Sequence, residues 1–515
     1  MSTATLRGSA HQHMNSIPQP LTARTLAKHA ARVAVPTYDP AALTPAIVHL
    51  GVGSFHRAHQ AVYLDDLAGR GVTGWGVCGV GIRSRGMHDA LAPQDWLYTV
   101  LERGAEGDRA RVIGAMPRYL HAPRDPEAVL AALAHPHTRL VTLTITMPGY
   151  DIDPVTGDFR AAADDVRADL ARADGAAPAS VFGYLCDALA RRRAAGLPPF
   201  TILSCDNMQD NGGAARTAVV SFARLGDPAL ADWIDDAVAF PSSMVDRITP
   251  ETTPEHRTLL AEAFGLADRW PVVAEPFRQW IIEDTFCNGR PPLDEVGVRF
   301  VPDVRPYLRI KTRLLNASHS ALGYLGTLAG HGRTDEALRD PRIRAYLERL
   351  MDEEVSPLLP AVPGIDLDDY KRQLMIRFAN PQIGDNLSRL SARGSTKMPT
   401  FLLPSIREAI EQGRPHALLD LAVAAWFRYL RGVDDAGRTI EVIDPLAERL
   451  QELVRAGGAD PRPLLHEEQI FDSLGKNEEF VAAVEQAGRM IEQRGARATL
   501  DAYLRTEAVG PLEAD

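Results

Sequence analysis

The chain has 515 residues, more than one domain usually holds, and we therefore expect at least two domains, each with its own core. Apolar residues make up 45% and charged residues 24% of the chain, which is typical of a folded globular protein and excludes extensive disorder. The net charge of −11 argues against a surface that binds nucleic acid.

Membrane and metal-binding segments are not indicated either. No apolar run approaches the roughly 20 residues of a membrane helix, and the N-terminus lacks the apolar core of a signal peptide, so we expect a cytoplasmic protein. The four cysteines stand far apart without CxxC spacing, at Cys78, Cys186, Cys205 and Cys287. This pattern predicts buried free thiols rather than a zinc site or a disulfide framework.

Residues 1–20 show no hydrophobic periodicity and are predicted to be loose, within an N-terminal arm that spans residues 1–45. From residue 46 the pattern changes to a short strand, a glycine turn and a helix that carries Ala61, Leu64 and Leu67. Further strand-like runs follow at residues 74–82, 139–146, 200–207 and 235–250. Because helical, alanine-rich segments separate these runs, we expect a parallel sheet covered by helices.

Beyond about Val301 the strand-like runs stop and helical periodicity dominates. The predicted fold is therefore of the α/β class, with a parallel-sheet domain over residues 46–300. A mostly α-helical domain is predicted over residues 301–515.

The turn "HLGVGSFHRAH" places Gly51 and Gly53 between the first strand and its helix, where backbone N–H groups can hold a pyrophosphate. With them, Phe55 and Arg57 at the helix start are candidate cofactor contacts, Arg57 through a phosphate or, alternatively, as a solvated arginine. His56 replaces the third glycine of the usual fingerprint, so the motif alone also fits an ordinary strand-to-helix turn.

Two histidines in this turn and an arginine cluster after the second strand could also contact a ligand. His56 and His59 have the spacing of a ligand pair, but no third ligand stands nearby in the sequence, and we expect no metal. Arg83, Ser84 and Arg85 follow the second strand, where an acid would hydrogen-bond the ribose of NAD. Arginine and serine there suit the 2′-phosphate of NADP; the alternative is a pair of exposed arginines without a cofactor contact.

The segment "KTRLLNASHS" carries Lys311, Asn316 and His319. In an α-helix with about 100° per residue, Asn316 would lie about 140° and His319 about 80° from Lys311. A buried lysine can serve as a base, an amide can stabilise an alkoxide, and a histidine can orient the same substrate. The alternative is a helix with a solvated lysine and two satisfied polar side chains.

The chain resembles the polyol-specific long-chain dehydrogenases and reductases, a family that includes mannitol 2-dehydrogenases, D-arabinitol dehydrogenases and fructuronate reductases. The resemblance runs from about Ile47 to near the C-terminus. It is carried by "GVGSFHRAH", "TILSCDNMQDNG", "FPSSMVDRITP", "VVAEPFRQWIIEDTF", "KTRLLNASHS" and "GSTKMPTFLLP". It implies a Rossmann-type domain, a helical domain and metal-independent hydride transfer between NAD and a polyol such as mannitol, with NADP possible. It also implies a monomer.

Carried over to this chain, the resemblance implies the following site residues: Lys311 as the general base, Asn207 and Asn316 as the alkoxide-stabilising pair, His319 as the substrate-orienting residue, and Asp246, Arg389 and Lys397 as substrate contacts. The last three have ordinary alternatives. Asp246 could pair with Arg247, and the two basic residues could be surface charges.

The chain departs from the family pattern in three places. Leu308 stands where a glutamate is usual three residues before the base, and Met147 with Pro148 stands where another glutamate is usual. The third departure is the Arg83–Arg85 cluster. The lost acids suit either a sugar-acid substrate such as fructuronate or a more apolar site. A nucleotide or sugar sensor without catalysis, and a lyase that forms a Schiff base on Lys311, are the remaining hypotheses.

Overall fold

The computed structural model describes residues 18–153, 156–173 and 175–505. Residues 1–17 of the predicted arm lie outside these ranges. The described chain divides into two compact units, the first ending at Arg305 and the second beginning at Pro306. Within the described ranges no helix has the length and apolar character needed to cross a membrane.

All strands of the described chain lie in the first unit. They are β1 (Gln19–Pro20), β2 (Pro45–Leu50), β3 (Gly76–Gly81), β4 (Tyr98–Gly104), β5 (Gly107–Ile113), β6 (Arg118–His121), β7 (Leu140–Leu143), β8 (Thr201–Ser204), β9 (Ser243–Asp246), β10 (Leu266–Ala267), β11 (Val272–Ala274), β12 (Gln279–Glu283) and β13 (Arg299–Val301). The helices of this unit are α1 (Leu26–His29), α2 (Ser54–Ala58), α3 (Gln60–Gly69), α4 (Gly86–Leu91), α5 (Pro126–Ala134), α6 (Asp164–Ala171), α7 (Val181–Ala194), α8 (Asn211–Gly226), α9 (Pro228–Ala237) and α10 (Pro254–Phe264).

Five parallel strands form the central sheet, in the order β6-β3-β2-β7-β8. The chain enters at β2, runs outward to β6 and then returns to the other side of β2 at β7. This order is that of a doubly wound sheet, whose switch point lies between β2 and β7. The predicted fold class is confirmed.

The apolar strands explain why this sheet is covered on both faces. Val48 and Leu50 of β2 point into a core shared with α5, α7 and α8, whereas Ile47 points into a second core that includes α3. A strand that is buried on both faces needs apolar side chains at nearly every position. The continuous run "AIVHL" meets this requirement.

Two sequence-based assignments in this unit were wrong. The strand predicted over residues 235–250 is restricted to β9, because residues 235–237 belong to α9, a helix that Asp227 caps and Pro228 starts. The segment predicted to be loose is also ordered at its end, because Gln19–Pro20 form β1, which pairs with β10. Leu21 and Val33 are buried in a small core against β4, β5 and α10, a tertiary contact that leaves no local periodicity.

The second unit is helical, as predicted, and its only strand-like features in the described residues are isolated bridges. The helix α11 (Arg305–Ile310) crosses the boundary between the units. The following helices are α12 (Ala317–Leu328), α13 (Thr334–Ala337), α14 (Pro341–Arg349), α15 (Leu367–Phe378), α16 (Leu387–Ser391), α17 (Gly394–Lys397), α18 (Leu403–Glu411), α19 (Ala417–Tyr429), α20 (Ala447–Gly457), α21 (Arg462–Leu465), α22 (Glu468–Phe471) and α23 (Glu478–Arg505). Almost every residue of α19 is buried, and this helix packs against α12 and α23 at the centre of the unit.

Candidate active site

The turn after β2 is built around two glycines. Gly51 has a φ of +92°, and a Cβ atom there would lie 2.3 Å from the carbonyl oxygen of Thr144, so only glycine fits. Gly53 precedes α2, and a Cβ atom at this position would meet only the Gly51 oxygen, at 3.8 Å. The space in front of the first turn of α2 is therefore open, and the cradle fits a pyrophosphate that approaches the backbone.

The two histidines of this turn do not face a common ligand. His56 stacks on His49 with 3.5 Å between the ring centroids, and burial lowers the pKa of both rings, that of His49 to about 3. His59 lies at the break between α2 and α3, where its Nε2 is 2.9 Å from the carbonyl oxygen of Gln279. The described residues contain no group of three or more His, Cys, Asp or Glu side chains that could hold a metal ion, and the four cysteines are free.

Arg57 is buried rather than solvated. It lies in the last turn of the short helix α2, and its guanidinium donates to the carbonyl oxygen of Trp270 at 2.6 Å and lies 5.2 Å from the ring of Tyr98. Burial lowers the pKa of Arg57. The alternative of a solvated arginine is thus wrong, and the guanidinium connects the glycine turn to the segment around Trp270.

The cluster Arg83, Ser84 and Arg85 follows the carboxyl end of β3, next to the glycine turn at the carboxyl end of β2. All three side chains are exposed. Arg85 pairs with Asp89 one helical turn later, at 2.9 Å. Arg83 has no ion pair within the part of the chain that the structure describes, so its charge is available to a ligand.

The loops after β7 and β8 are joined by a buried carboxylate that sequence reasoning missed. Asp206 accepts the backbone N–H groups of Ile145 at 3.0 Å and Thr146 at 2.9 Å, and the hydroxyl of Tyr150 donates to it at 2.7 Å. Burial raises the pKa of Asp206. The neighbouring Asn207 is exposed at the carboxyl end of the sheet, directly after this anchor.

Asp246 is the last residue of β9 and is buried. The alternative in which Asp246 pairs with Arg247 is not favoured, because the guanidinium of Arg247 binds Glu102 at 2.6 Å and donates to the carbonyl oxygens of Ala58 and Glu275. Asp246 lies close enough to His59 to influence its pKa. The carboxylate therefore belongs to the same polar region as the glycine turn.

The segment predicted as an α-helix around Lys311 begins instead with a π-helical turn, Lys311–Asn316, before α12. The backbone N–H of Ala317 donates to the carbonyl of Thr312, which is the i→i+5 pattern of a π-helix. Residues five apart then lie nearly above one another, so Lys311 and Asn316 share one side instead of standing about 140° apart. The angle expected for an α-helix was therefore wrong at this segment.

Lys311 and Asn316 are both buried in this turn, at 4% and 8% exposure. The amide Nδ2 of Asn316 has no hydrogen-bond partner within the described chain. A buried N–H group without a partner costs free energy, and such groups in native proteins usually have a role. The turn therefore presents a buried amine and a buried N–H donor that no group of the described chain accepts from.

The three remaining candidates of the second unit gather around Asp385, a residue that sequence reasoning missed. Arg389 donates through Nε to Asp385 at 2.8 Å, one helical turn away. Although burial raises it, the pKa of Asp385 is held below its usual range by the guanidinium of Arg389 and by the nearby His319. Lys397 donates to the carbonyl oxygen of Leu390 at 2.8 Å, and burial together with the like charge of Arg389 lowers its pKa to about 8.

Two helix contacts bring these groups together. A Cβ atom at Gly323 would lie 3.0 Å from the hydroxyl of Ser391, so glycine permits α12, which carries His319, to approach α16, which carries Arg389. The π turn that begins at Lys311 packs against a second π turn, Met398–Leu402, which starts directly after Lys397. The second unit therefore assembles all of its predicted site residues around two adjoining helix irregularities.

The positions that depart from the resemblance are also defined. Leu308 is buried in α11 one helical turn before Lys311, and the hydroxyl of Thr312 donates to its carbonyl at 2.9 Å. Met147 is 46% exposed just after Thr146, which has a positive φ. Neither position holds a carboxylate that could act on the candidate base.

Known proteins resemble this chain in both of its units. Residues 45–295 match the family model of the mannitol dehydrogenase Rossmann domain, and residues 303–492 match that of the mannitol dehydrogenase C-terminal domain. The chain is 47% identical to a mannitol 2-dehydrogenase of Aspergillus fumigatus over 499 residues, which cover 95% of this chain and 99% of the relative. It is 47% identical to a mannitol 2-dehydrogenase of Pyricularia oryzae, with 92% of this chain and 95% of the relative covered.

Two solved structures resemble this chain over nearly its whole length. The mannitol 2-dehydrogenase of Pseudomonas fluorescens, in a ternary complex with NAD and D-mannitol, has a TM-score of 0.86 and 44% identity, covering 95% of this chain and 100% of that one. A D-sorbitol dehydrogenase in its substrate-free form has a TM-score of 0.87 and 37% identity, covering 93% of this chain and 100% of that one.

Proposed function

The chain belongs to the mannitol dehydrogenase family, and we propose that it is an NAD-dependent oxidoreductase that converts a polyol such as mannitol into the corresponding ketose. The family models match both units, and the relatives compared above are named as polyol dehydrogenases. The single observation that carries the mechanism is the π turn, in which Lys311 and the partnerless amide of Asn316 lie buried on one side.

Lys311 is the general base of the proposed reaction. In the oxidative direction its neutral amine takes the hydroxyl proton of the substrate, and in the reverse direction the ammonium returns it. Burial favours this role, because a low dielectric disfavours the charged form of a lysine. The Nδ2 of Asn316 donates to the oxygen that becomes an alkoxide, and we assign the same task to Asn207 of the first unit.

The other polar residues fix the hydroxyl chain. His319, Arg389 and Lys397 lie around Asp385 and offer donors and acceptors for hydroxyls away from the reacting carbon. Asp246 accepts from a further hydroxyl. These hydroxyl contacts bind the substrate with its reacting carbon beside the base. All acid–base tasks are then filled by side chains, and we propose that the reaction needs no metal; chelation with EDTA is expected to leave the rate unchanged.

The first unit would hold the cofactor. Gly51 and Gly53 would admit the pyrophosphate to the backbone, Phe55 follows in the first turn of α2, and the loop with Arg83 and Arg85 would contact the adenosine ribose. When bound, the nicotinamide ring supplies the hydride acceptor or donor. NAD is the proposed cofactor, and the exposed Arg83 is expected to let the protein accept NADP as well.

The first test is the initial rate with NAD(H) and with NADP(H), using mannitol/fructose, arabinitol/xylulose and mannonate/fructuronate. We expect the neutral polyols to be preferred. The variant Lys311→Ala should lose about 10²- to 10⁴-fold in rate, the usual contribution of a general base. The variant Lys476→Ala, which removes an exposed lysine that lies 3.8 Å from Glu468, is the matched control and should keep full activity.

Three outcomes would replace this proposal. Near-full turnover of Lys311→Ala would remove the lysine from the mechanism. A wild-type protein without activity on any of the three substrate pairs would favour the hypothesis of a sensor without catalysis. Trapping of Lys311 by borohydride with a carbonyl substrate, without any need for a nicotinamide, would favour the lyase.

One observation favours a second candidate substrate. When Lys397 is protonated, the group of Asp385, Arg389 and Lys397 carries one negative and two positive charges. This net positive charge suits the carboxylate of a sugar acid better than it suits an uncharged polyol. Reduction of a ketouronate such as fructuronate is therefore the alternative activity. A KM for the sugar acid that rises selectively in Arg389→Gln or Lys397→Gln would support it.

We further propose that the protein acts as a monomer in the cytoplasm. The monomer rests on the family resemblance, and the cytoplasmic location rests on the sequence pattern of the chain. Light scattering behind size-exclusion chromatography tests the first part, since a mass of two or more chains would contradict it, and localisation of a tagged chain tests the second.

A further inference from the structure

Trp270 is the most exposed tryptophan of the chain. Its side chain lies in the segment between β10 and β11 and is 39% exposed, whereas the other five tryptophans are buried or half-buried. A single exposed apolar side chain is common and by itself has no meaning. Its backbone and its position distinguish Trp270 from such a residue.

The backbone of Trp270 is held on both sides. Its N–H donates to Asp268 at 2.8 Å, and its carbonyl oxygen accepts from the guanidinium of Arg57 at 2.6 Å. Asp268 is fully buried and also accepts from the backbone of Thr99 and the amide of Gln94. An exposed indole on an anchored backbone loses little conformational entropy when a ligand packs on it.

The indole lies against the loop that follows β3. A Cβ atom at Gly86 would be 3.4 Å from Cη2 of Trp270 and 3.6 Å from the hydroxyl of Ser84, so the ring reaches the end of the Arg83–Arg85 cluster. In doubly wound sheets this loop contacts the adenosine ribose of a dinucleotide. Arg57, which follows the glycine turn, anchors the carbonyl of Trp270, so the three parts of the expected dinucleotide site are linked by direct contacts.

We propose that Trp270 forms a stacking wall for the adenine ring of the cofactor, and that Arg57 and Asp268 are positioning residues that hold this wall. The proposal rests on the proposed function, because it assumes a nicotinamide dinucleotide. Every base has a π-face that can stack on an indole, and base–aromatic stacking is among the larger single contributions to nucleotide binding. No change of protonation or covalent bond is involved.

Calorimetric titration with AMP and with nicotinamide mononucleotide tests this assignment on the full chain. In Trp270→Ala the Kd for AMP should rise about 10-fold or more, which is the range of base–aromatic stacking, whereas the Kd for nicotinamide mononucleotide should not change. Trp270→Phe should restore AMP binding to near the wild-type value. The control variant Trp233→Phe, on α9, should behave like the wild-type protein.

Fluorescence supplies a readout that a merely structural role would not move. AMP should quench the wild-type emission, and this quenching should be lost in Trp270→Phe although calorimetry still detects AMP. Unchanged AMP binding in a folded Trp270→Ala variant, with a wild-type protein that oxidises a polyol with NAD, would overturn the stacking wall alone. A folded wild-type protein that binds neither AMP nor NAD would overturn the proposed function and the stacking wall together.

Discussion

The carboxylate of Asp385 is bound by the guanidinium of Arg389 one helical turn later, with 2.8 Å between Oδ1 and Nε. Asp385 is buried while Arg389 is exposed, so the buried carboxylate fixes the guanidinium of an exposed side chain. His319 and Lys397 lie close enough to this pair to be influenced by it. The pair is therefore the organising contact of the candidate substrate group in the second unit.

Removing the charge of Asp385 should affect substrate binding more than the chemical step. In Asp385→Asn the guanidinium loses its ionic partner, and we expect the KM for the polyol to rise about 10-fold with kcat nearly unchanged, since hydroxyl contacts act equally in the ground and transition states. Steady-state kinetics measures both constants. The control Asp369→Asn breaks the exposed pair with Arg372 and should leave both unchanged. A loss confined to kcat would contradict the positioning role.

The partnerless amide of Asn316 predicts opposite effects on stability and activity. In Asn316→Leu a buried donor without a partner is replaced by an apolar group of similar size, so the free energy of unfolding should stay the same or rise by about 1 kcal/mol. The rate should fall about 10²- to 10³-fold, as when one oxyanion donor is removed. Denaturant unfolding and initial rates give the two numbers, and an active Asn316→Leu variant would exclude the amide from the mechanism.

The exposed Arg83 should decide how well NADP is accepted. In Arg83→Ala the ratio of kcat/KM for NADP to that for NAD should fall about 10-fold, because a charge-assisted hydrogen bond to the 2′-phosphate is lost. Arg85 already pairs with Asp89, so Arg85→Ala should change the ratio less. An equal loss with both cofactors would mean that Arg83 contacts a group that NAD and NADP share.

A buried acidic group in the second unit should make stability depend on pH. Glu354 lies in a third π turn, Leu350–Val355, and accepts the backbone N–H groups of Leu418 at 2.8 Å and Leu419 at 2.9 Å. Burial raises the pKa of Glu354 to about 7 and that of Asp420 to about 6. Burial opposes the charge of His416, but its bond to Asp420 at 2.7 Å raises the pKa of this ring as well.

All three shifts act in the same direction. Each folded-state pKa lies above that of the unfolded chain, so the folded protein binds more protons in the window between them. Stability therefore falls as the pH rises through about 4 to 7 for the two acids, and from about 6.5 upward for His416. Glu354→Gln should make this decline shallower, whereas Glu353→Gln, at an exposed neighbour paired with Arg349, should not. Urea unfolding at several pH values measures the slope, and an unchanged slope in Glu354→Gln would contradict the assignment.

Local patterns in the sequence determined much of this protein. The strands β2, β3, β7 and β8 were predicted because a strand that is buried on both faces needs a continuous apolar run, and the helical second half followed from its period. The glycine turn and the Lys311, Asn316 and His319 segment were found because their spacing along the chain is short. The roles of these residues remain predictions that the experiments above test.

Only the tertiary structure decided the features that depend on distant contacts. The π turn at Lys311 differs from an α-helix by one residue in its hydrogen-bond pattern, and it packs against two other π turns that are far away in sequence. Asp385, Asp206 and Trp270 could not be singled out from the sequence, since their importance comes from partners on other elements. Residues 18–45 likewise pack through single apolar side chains without periodicity. Local sequence fixes which elements form, whereas side-chain packing between elements fixes their register and the partners of their polar groups.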